Sequence, residues 1–260
     1  METARDALYG EVLAFLVDSG RRIRKRAGRI ADIGVAKRYL TEEDLRIEHE
    51  LAALIARLAP DDALYAEEAH DDFPPGRDVW VADPISGTRT FLQGLPQYAI
   101  VAAHLHDRAP RFAAVYDPTM DELFQARAGA GATRNDRPIR VATHREGRRS
   151  RVLFNLAYGE PDTADARRLF GALSIFDLYR NTSSFALNYC HVACGRYDGF
   201  VTVARDSFPE MASALIVREA GGQFTTLAGA AEIGPRDREF LGGSPIVVER
   251  LRAAVRAVRA

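Results

Sequence analysis

The 260-residue chain has little cysteine, no long apolar run and almost no net charge, and each shortage sets a class of protein aside. Its two cysteines, Cys190 and Cys194, lie four apart in a stretch with helical patterning. They therefore share one helical face, where their sulfurs are poorly placed to bridge, and two thiolates do not complete a zinc site. Free thiols in a reducing cytoplasm are the expectation. No stretch approaches the roughly 18 apolar residues of a membrane span, and no basic segment followed by an apolar one opens the chain. Neither export nor a membrane partner is expected. A net charge of -1 argues against a nucleic-acid partner, which calls for a clustered cationic surface. The basic run Arg21-Arg22-Ile23-Arg24-Lys25-Arg26 falls at the end of an expected helix, where cations suit the dipole and face solvent. No G-x-x-x-x-G-K-[ST] loop is present, which leaves nucleoside triphosphate chemistry unsupported. The histidines (His49, His70, His104, His106, His144 and His191) follow no metal-ligand spacing and read as structural or surface groups.

What the chain does have is a patterned core. At 47% apolar and 27% charged residues it can build one large core or two modest domains. Helical periodicity runs from residue 3 to about 27 and stops at Gly28. A second helix starts at Thr41, an N-cap hydroxyl followed by Glu42-Glu43-Asp44 in the first turn, and ends at Asp61-Asp62. Strands are expected at 79–82, 98–106, 111–116 and 122–126, a meander-like sheet under helices. After about residue 145 the pattern alternates: strand 151–155, helix 163–172, strand 174–178, helix 183–194, strand 198–203, helix 208–220. A Gly221-Gly222 stop, a further strand and a last helix opened by Ser244-Pro245 follow. Such alternation means α/β layering. Two halves, 1–145 and 146–260, are expected to pack as one continuous body.

Chemistry concentrates in Trp80-Val81-Ala82-Asp83-Pro84-Ile85-Ser86-Gly87-Thr88-Arg89-Thr90-Phe91 and in Glu67-Glu68 before it. An apolar run that ends in Asp-Pro and turns at Gly87 sets a carboxylate and a hydroxyl at a strand end, where fixed backbone aims both at a ligand. Mg²⁺ takes oxygen ligands in near-octahedral array, usually a few carboxylates with water and substrate phosphate. Glu67 and Asp83 each follow a short apolar segment, so two strand ends can converge, and the Ile85 carbonyl offers a third oxygen. The Thr88 hydroxyl, within reach of Glu67, can orient a water as nucleophile. The plain alternative makes Glu67-Glu68 a solvated loop and Asp83-Pro84 the mere end of a strand.

These residues resemble a family. Ala66-Glu67-Glu68, then Trp80 to Thr88 with Phe91, is similar to the G-E-E and W-x-x-D-P-[IL]-D-G-T-x-x-F signature of the inositol monophosphatases. Leu40-Thr41-Glu42-Glu43-Asp44 resembles their V-T-x-x-D, and Asn135-Asp136-Arg137-Pro138-Ile139 their N-G-x-P-I. Val192 to Asp198 resembles V-A-x-G-R-x-D, and Ala214 to Gly222 resembles A-x-I-V-x-E-A-G-G. The landmarks keep the family's order from about 40 to 222. The resemblance implies an α-β-α-β-α sandwich, often dimeric, that hydrolyses phosphomonoesters with two or three Mg²⁺ ions and is inhibited by Li⁺. It assigns Glu67, Asp83 and the Ile85 carbonyl to the first metal, and Asp44 to a position near the third, where a first-turn helix charge is the alternative.

The departures fall where the chemistry should be. The second aspartate of D-P-x-D-G-T is Ser86, and the aspartate of W-D-x-A-A-G falls on Pro209, so the second metal loses both its carboxylates. Two matched carboxylates balance one Mg²⁺ and no more. Arg89 can replace the lost cation by gripping phosphate, or be an exposed charge after a turn. Asp206 or Glu210 can restore a carboxylate only with a local shift, and loss of hydrolysis is the third possibility. The family's G-[ST]-A helix start appears as Ser183-Ser184-Phe185, and its cyclitol-binding glutamate aligns with Thr202, so inositol monophosphate itself is disfavoured. The expectation is a homodimeric Mg²⁺-dependent phosphatase for a small phosphorylated metabolite (a sugar, cyclitol or nucleotide phosphate), using one ion. Glu67, Asp83 and Thr88 are expected to be catalytic, and Ser86, Gly87, Arg89, Ser183, Ser184, Phe185 and Thr202 to face substrate. The alternative is a family member that binds an anionic small molecule without hydrolysing it.

Overall fold

The computed structural model describes residues 2–35, 39–67, 73–143, 147–156, 163–181, 183–203 and 208–259, with backbone alone at 2–4, 163–166, 180–181, 208–210 and 259. Apolar residues spaced three and four apart give α1 (Glu2–Arg24) a buried stripe of Leu8, Val12, Leu16 and Ile23. It ends short of residue 27. In α2 (Glu42–Leu58) the Thr41 hydroxyl accepts from the Asp44 backbone N–H while the Asp44 carboxylate accepts from that of Thr41. This reciprocal cap is worth about 1 kcal/mol. The basic run at the end of α1 is less solvated than expected. Arg22 pairs with Glu43 and Glu50, and Arg26 with Glu42 and Glu43, so the run ties α1 to α2.

Seven strands follow in sequential order: β1 (Ala63–Ala66), β2 (Asp78–Ser86), β3 (Ala99–His106), β4 (Ala109–Asp117), β5 (Glu122–Arg127), β6 (Gly131–Arg134) and β7 (Arg137–Pro138). All neighbours are antiparallel except β1 and β2, so this is the expected meander with one parallel edge strand added. A short helix, α3 (Thr88–Leu92), interrupts it after β2 and was not expected from the sequence. Alternation along β2 sends Trp80 and Ala82 towards α1 and α2, and Val79 and Val81 to the opposite face.

A second sheet has the order β11-β12-β10-β8-β9, built from β8 (Arg151–Leu156), β9 (Asp177–Asn181), β10 (Gly199–Val203), β11 (Gln223–Thr226) and β12 (Glu239–Gly243). Its helices are α4 (Thr163–Ala172), α5 (Phe185–Ala193), α6 (Phe208–Glu219) and α7 (Pro245–Arg259). The strand expected at 174–178 starts later. Leu173–Ile175 is a 3-10 turn with Ile175 exposed, and Arg149 donates to the carbonyls of Ser174, Ile175 and Phe176. Those carbonyls are thereby held out of a ladder.

Three apolar clusters separate five layers. One joins α1 and α2 to the first sheet, one joins α5 and α6 to both sheets, and one joins α4 and α7 to the second sheet. The architecture is therefore the α-β-α-β-α sandwich expected from the resemblance, with α5 and α6 as the central layer. Among the described residues no helix is long and apolar enough to cross a membrane.

Candidate metal and phosphate site

The site is built by two strand ends. β1 runs parallel to β2 with Ala66 opposite Ala82, and the Glu67 backbone N–H continues the ladder by donating to the Ala82 carbonyl at 3.2 Å. Glu67 and Asp83 are thereby set side by side, as the convergence reading requires. Pro84 has no N–H to give the ladder with β3, which stays in register through Asp83 opposite Val101 and resumes at Ser86 opposite Ala99. Two residues, Pro84 and Ile85, thus stand against one, Ile100, and this bulge re-aims the chain. Gly87 then takes φ 88°, and a Cβ there would lie 3.0 Å from both the Gln97 carbonyl oxygen and the Ser184 nitrogen. Only glycine fits that corner.

Thr88 opens α3 directly after the corner. Its hydroxyl donates to the Ile85 carbonyl at 2.8 Å and stands 3.4 Å from Asp44 Oδ1, with Asp44 1% exposed. One proton serves the nearer oxygen, so Thr88 and Ile85 form a closed turn with Asp44 beside it. Thr88 was expected near Glu67; its hydrogen bonds join it to the Ile85 and Asp44 side. Asp83 is buried at 4% exposure and Glu67 is half-buried, while Glu68 lies outside the described residues.

Ser86 stands where the resemblance has a carboxylate, and its hydroxyl lies 2.9 Å from that of Ser184. Ser184 is the N-cap of α5 and accepts from the Leu187 N–H at 3.3 Å. Both serines are buried. The hydroxyl of Ser86, a residue expected to face substrate, joins β2 to α5. Ser183 donates to Gln97 Oε1 at 2.6 Å, and Phe185, the first residue of α5, is half-buried against the central core. Thr202 lies on β10 with no exposure. Its hydroxyl accepts from Asn155 Nδ2 at 3.0 Å and pairs with the Tyr189 hydroxyl at 2.8 Å, and Asn188 closes the chain on Asn155 Oδ1. Buried polar groups bonded in this way specify a core. Arg89 holds its guanidinium 5.8 Å from the centre of the Tyr39 ring. Pro209 sits in the first turn of α6 with its side chain outside the described residues, as are the Glu210 side chain and all of Asp206.

The donor set can be tested against a cation. Glu67 and Asp83 carboxylates and the Ile85 carbonyl are hard oxygens of the kind Mg²⁺ prefers, and their charge of -2 matches one such ion. Ser86, where the resemblance has a second-metal carboxylate, is neutral, and its hydroxyl pairs with that of Ser184. Among the described residues no three His, Cys, Asp or Glu side chains are gathered as a ready metal cage. His104 and His106 are engaged away from these residues, and His70 and His144 lie outside the described residues. His104 is buried between the Tyr9 hydroxyl (2.8 Å from Nδ1) and Asp78 Oδ1 (3.0 Å from Nε2), and His106 reaches the same oxygen. Burial lowers the pKa of His104 and brings that of His191 down to about 4, the latter helped by Arg196. Cys190 and Cys194 are free thiols, and burial raises the pKa of both.

Sequence reasoning did not find Tyr39, Gln97 or the Asn155–Asn188–Tyr189 network. Tyr39 and Gln97 sit in loops with no periodic pattern, and both have positive φ, 64° and 76°, which no residue type advertises. Asn155 and Asn188 lie within a strand and a helix, where the apolar pattern dominates.

Comparison with known proteins agrees with the geometry. The sequence profile of the inositol monophosphatase family matches residues 15–259. A Haemophilus influenzae protein named Nus factor SuhB is 34% identical over 187 residues, 71% of this chain and 70% of the relative. An inositol-1-monophosphatase of Mesorhizobium japonicum is 26% identical over 264 residues, covering 97% of each chain. Among solved structures, the extragenic suppressor protein suhB from Bartonella henselae superposes with a TM-score of 0.87 at 25% identity, covering 96% of this chain and 98% of that one. The Thermotoga maritima IMPase gives 0.82 at 25% identity, over 96% and 97%. A profile match along most of the sequence, on a backbone that superposes with a TM-score of 0.87, means that the chain belongs to the inositol monophosphatase family.

Proposed function

We propose that the protein is an Mg²⁺-dependent phosphomonoester hydrolase that works on a small phosphorylated metabolite (a sugar, cyclitol or nucleotide phosphate) with one metal ion. The observation that carries this is the ladder bond from the Glu67 N–H to Ala82, which sets Glu67 beside Asp83 next to the Ile85–Thr88 turn. Glu67, Asp83 and the Ile85 carbonyl would hold the ion, which when bound neutralises phosphate charge and acidifies water. Thr88 spends its proton on Ile85 and keeps lone pairs with which to orient a water, and Asp44 extends the acidic side of the turn. Arg89 supplies a fixed cation for phosphate in place of the missing second ion. Ser86, Gly87, Ser183, Ser184 and Phe185 form the turn-and-helix wall behind the substrate, and Thr202 shapes it from within. On this reading the two halves, 1–145 and 146–260, act as one continuous unit. The protein works as a cytoplasmic homodimer without a nucleic-acid or membrane partner.

A second reading is favoured by the Ser86–Ser184 pair, because a neutral, hydrogen-bonded wall binds an anion without assembling the second metal of the family. In that case the chain is a binding protein on a phosphatase scaffold. Calorimetric titration with MgCl₂, followed by phosphate release from a panel of monoesters, separates the two. The hydrolase reading requires saturable Mg²⁺ binding that Asp83→Asn abolishes, together with turnover of at least one ester. No binding at millimolar Mg²⁺ defeats it.

A further inference from the structure

The end of α1 is fastened to two of the elements that border the site. Past Arg24 the chain keeps its helical turn, with the Ala27 N–H donating to the Ile23 carbonyl at 3.1 Å. Arg22 and Arg26, four apart, therefore face the same way. Both reach Glu43 in the first turn of α2: Arg22 Nε lies 3.3 Å from one carboxylate oxygen and Arg26 Nη1 2.7 Å from the other. Glu43 is fully buried, while each arginine keeps part of its length in solvent. Two residues after Arg26, the Gly28 N–H donates to the Phe91 carbonyl of α3 at 2.9 Å. Gly28 and Gly94 pass so closely there that a Cβ on Gly28 would stand 2.8 Å from the Gly94 Cα. That contact is backbone on backbone and has no slack.

Between these two fastenings lies the contact of Asp44 with Thr88. Asp44 follows Glu43 directly and places Oδ1 3.4 Å from the Thr88 hydroxyl, which itself donates to the Ile85 carbonyl at 2.8 Å. α2 brings the carboxylate and α3 brings the hydroxyl, so their separation is set by how both helices are held against the end of α1. An ion pair is a costly way to hold them. Taking a carboxylate wholly out of water is unfavourable, and apolar residues of similar volume often replace a buried ionic cluster with no loss of stability. What an apolar contact lacks is direction. It lets a helix turn or slide, whereas a carboxylate gripped at each oxygen by a different guanidinium has a defined setting.

We propose that Glu43 is a positioning residue, held by Arg22 and Arg26 so that the first turn of α2 presents Asp44 to Thr88 on the ion side of the turn. The assignment rests on the reading that Glu67, Asp83 and the Ile85 carbonyl hold Mg²⁺, and it adds the brace that sets the acidic residue beside them. Ion affinity and stability should therefore part company. Replacing Glu43 and Arg26 together by leucine leaves the net charge of the chain unchanged and keeps the contact packed, and Arg22 keeps Glu50. A loss of ion binding in that variant comes from geometry and not from an altered field.

The test is calorimetric titration of the full chain with MgCl₂, paired with thermal unfolding. Asp44→Asn should weaken Mg²⁺ binding by about three- to tenfold, through the lost charge. Glu43→Leu with Arg26→Leu should weaken it by a similar factor while unfolding within about 4 °C of the parent. In the Asp44→Asn background the leucine pair should cost nothing further, a coupling that a merely structural contact would not give. Arg26→Gln, which leaves Arg22 on Glu43, is the milder variant should the leucine pair not fold, and its smaller loss should vanish in the same background. If Asp44→Asn weakens binding while the brace variants do not, or if their losses add in full, Glu43 has no positioning role and the proposal falls alone. It also falls alone if Asp83→Asn abolishes binding but Asp44→Asn leaves it unchanged. If the parent binds no Mg²⁺ at millimolar concentration, the metal reading itself fails and takes the proposal with it.

Discussion

Replacing Ser184 by alanine should be far more costly than its single hydroxyl suggests. That oxygen accepts the Leu187 N–H at the start of α5 and pairs with Ser86 across 2.9 Å, with both serines buried. Loss of the cap costs about 1 kcal/mol. Stranding the Ser86 hydroxyl inside the protein costs roughly another 1–3 kcal/mol. The sum, roughly 2–4 kcal/mol, corresponds to a fall in Tm of about 4–16 °C for a chain of this size. Ser86→Ala should cost less, since Ser184 keeps its cap. The double variant should lose less than the two singles combined, because neither hydroxyl is then left buried alone. Urea denaturation of the four proteins, with equal m-values as the control for compactness, reads each difference from the midpoint. A Ser184→Ala loss below about 0.5 kcal/mol, or strict additivity in the cycle, would refute the coupling of β2 to α5 through this pair.

Two further outcomes follow from the same structure. His191 is kept neutral by burial, with a folded pKa of about 4 against 6.5 for the free side chain. The unfolded chain therefore takes up the proton first, and stability is lost as pH falls from about 6.5 through 4, by about 2 kcal/mol after discounting for partial exposure. His191→Gln should flatten that part of the curve in urea titrations at pH 7.5 and 4.5, and an unchanged slope would disprove it. Gly87→Ala should cost about 2–3 kcal/mol, combining left-handed backbone with contact at 3.0 Å on two backbone atoms. It should also reduce Mg²⁺ affinity in calorimetry, and a neutral result would mean the corner tolerates a side chain.

The fold was legible because its elements are strongly patterned. The Thr41 cap, the apolar strand runs of β3 and β4 and the Pro245 helix start all stand in the structure where the sequence placed them. Short elements decided by context were not legible. β1 owes its existence to pairing with β2, α3 to the Gly87 corner, and the delayed start of β9 to Arg149 binding the preceding carbonyls. The strand-end neighbours Glu67 and Asp83, the proposed metal ligands, could be picked out from Asp83-Pro84 and the acidic pair, since the turn is written in consecutive residues. The partners of Ser86, Thr88 and Arg89 could not be. Ser184, Asp44 and Tyr39 reach them from other parts of the chain through tertiary contacts that carry no local pattern.

The position of β1 gives ion binding a thermodynamic consequence. Among the described residues this four-residue strand is the outermost of its sheet and has β2 as its one neighbour there, yet the Glu67 that follows it supplies half the carboxylate charge of the proposed metal site. An edge strand held by so few ladder bonds detaches locally at lower cost than the sheet interior. Every detached molecule lacks Glu67 at the site, so the apparent affinity for the ion is the intrinsic affinity multiplied by the fraction docked. By the same linkage, an ion that binds the docked form protects the edge against fraying. A cation in this family member would thus act as a clasp on the sheet margin as well as a reagent, and mutations that loosen β1 would register first as weakened metal binding.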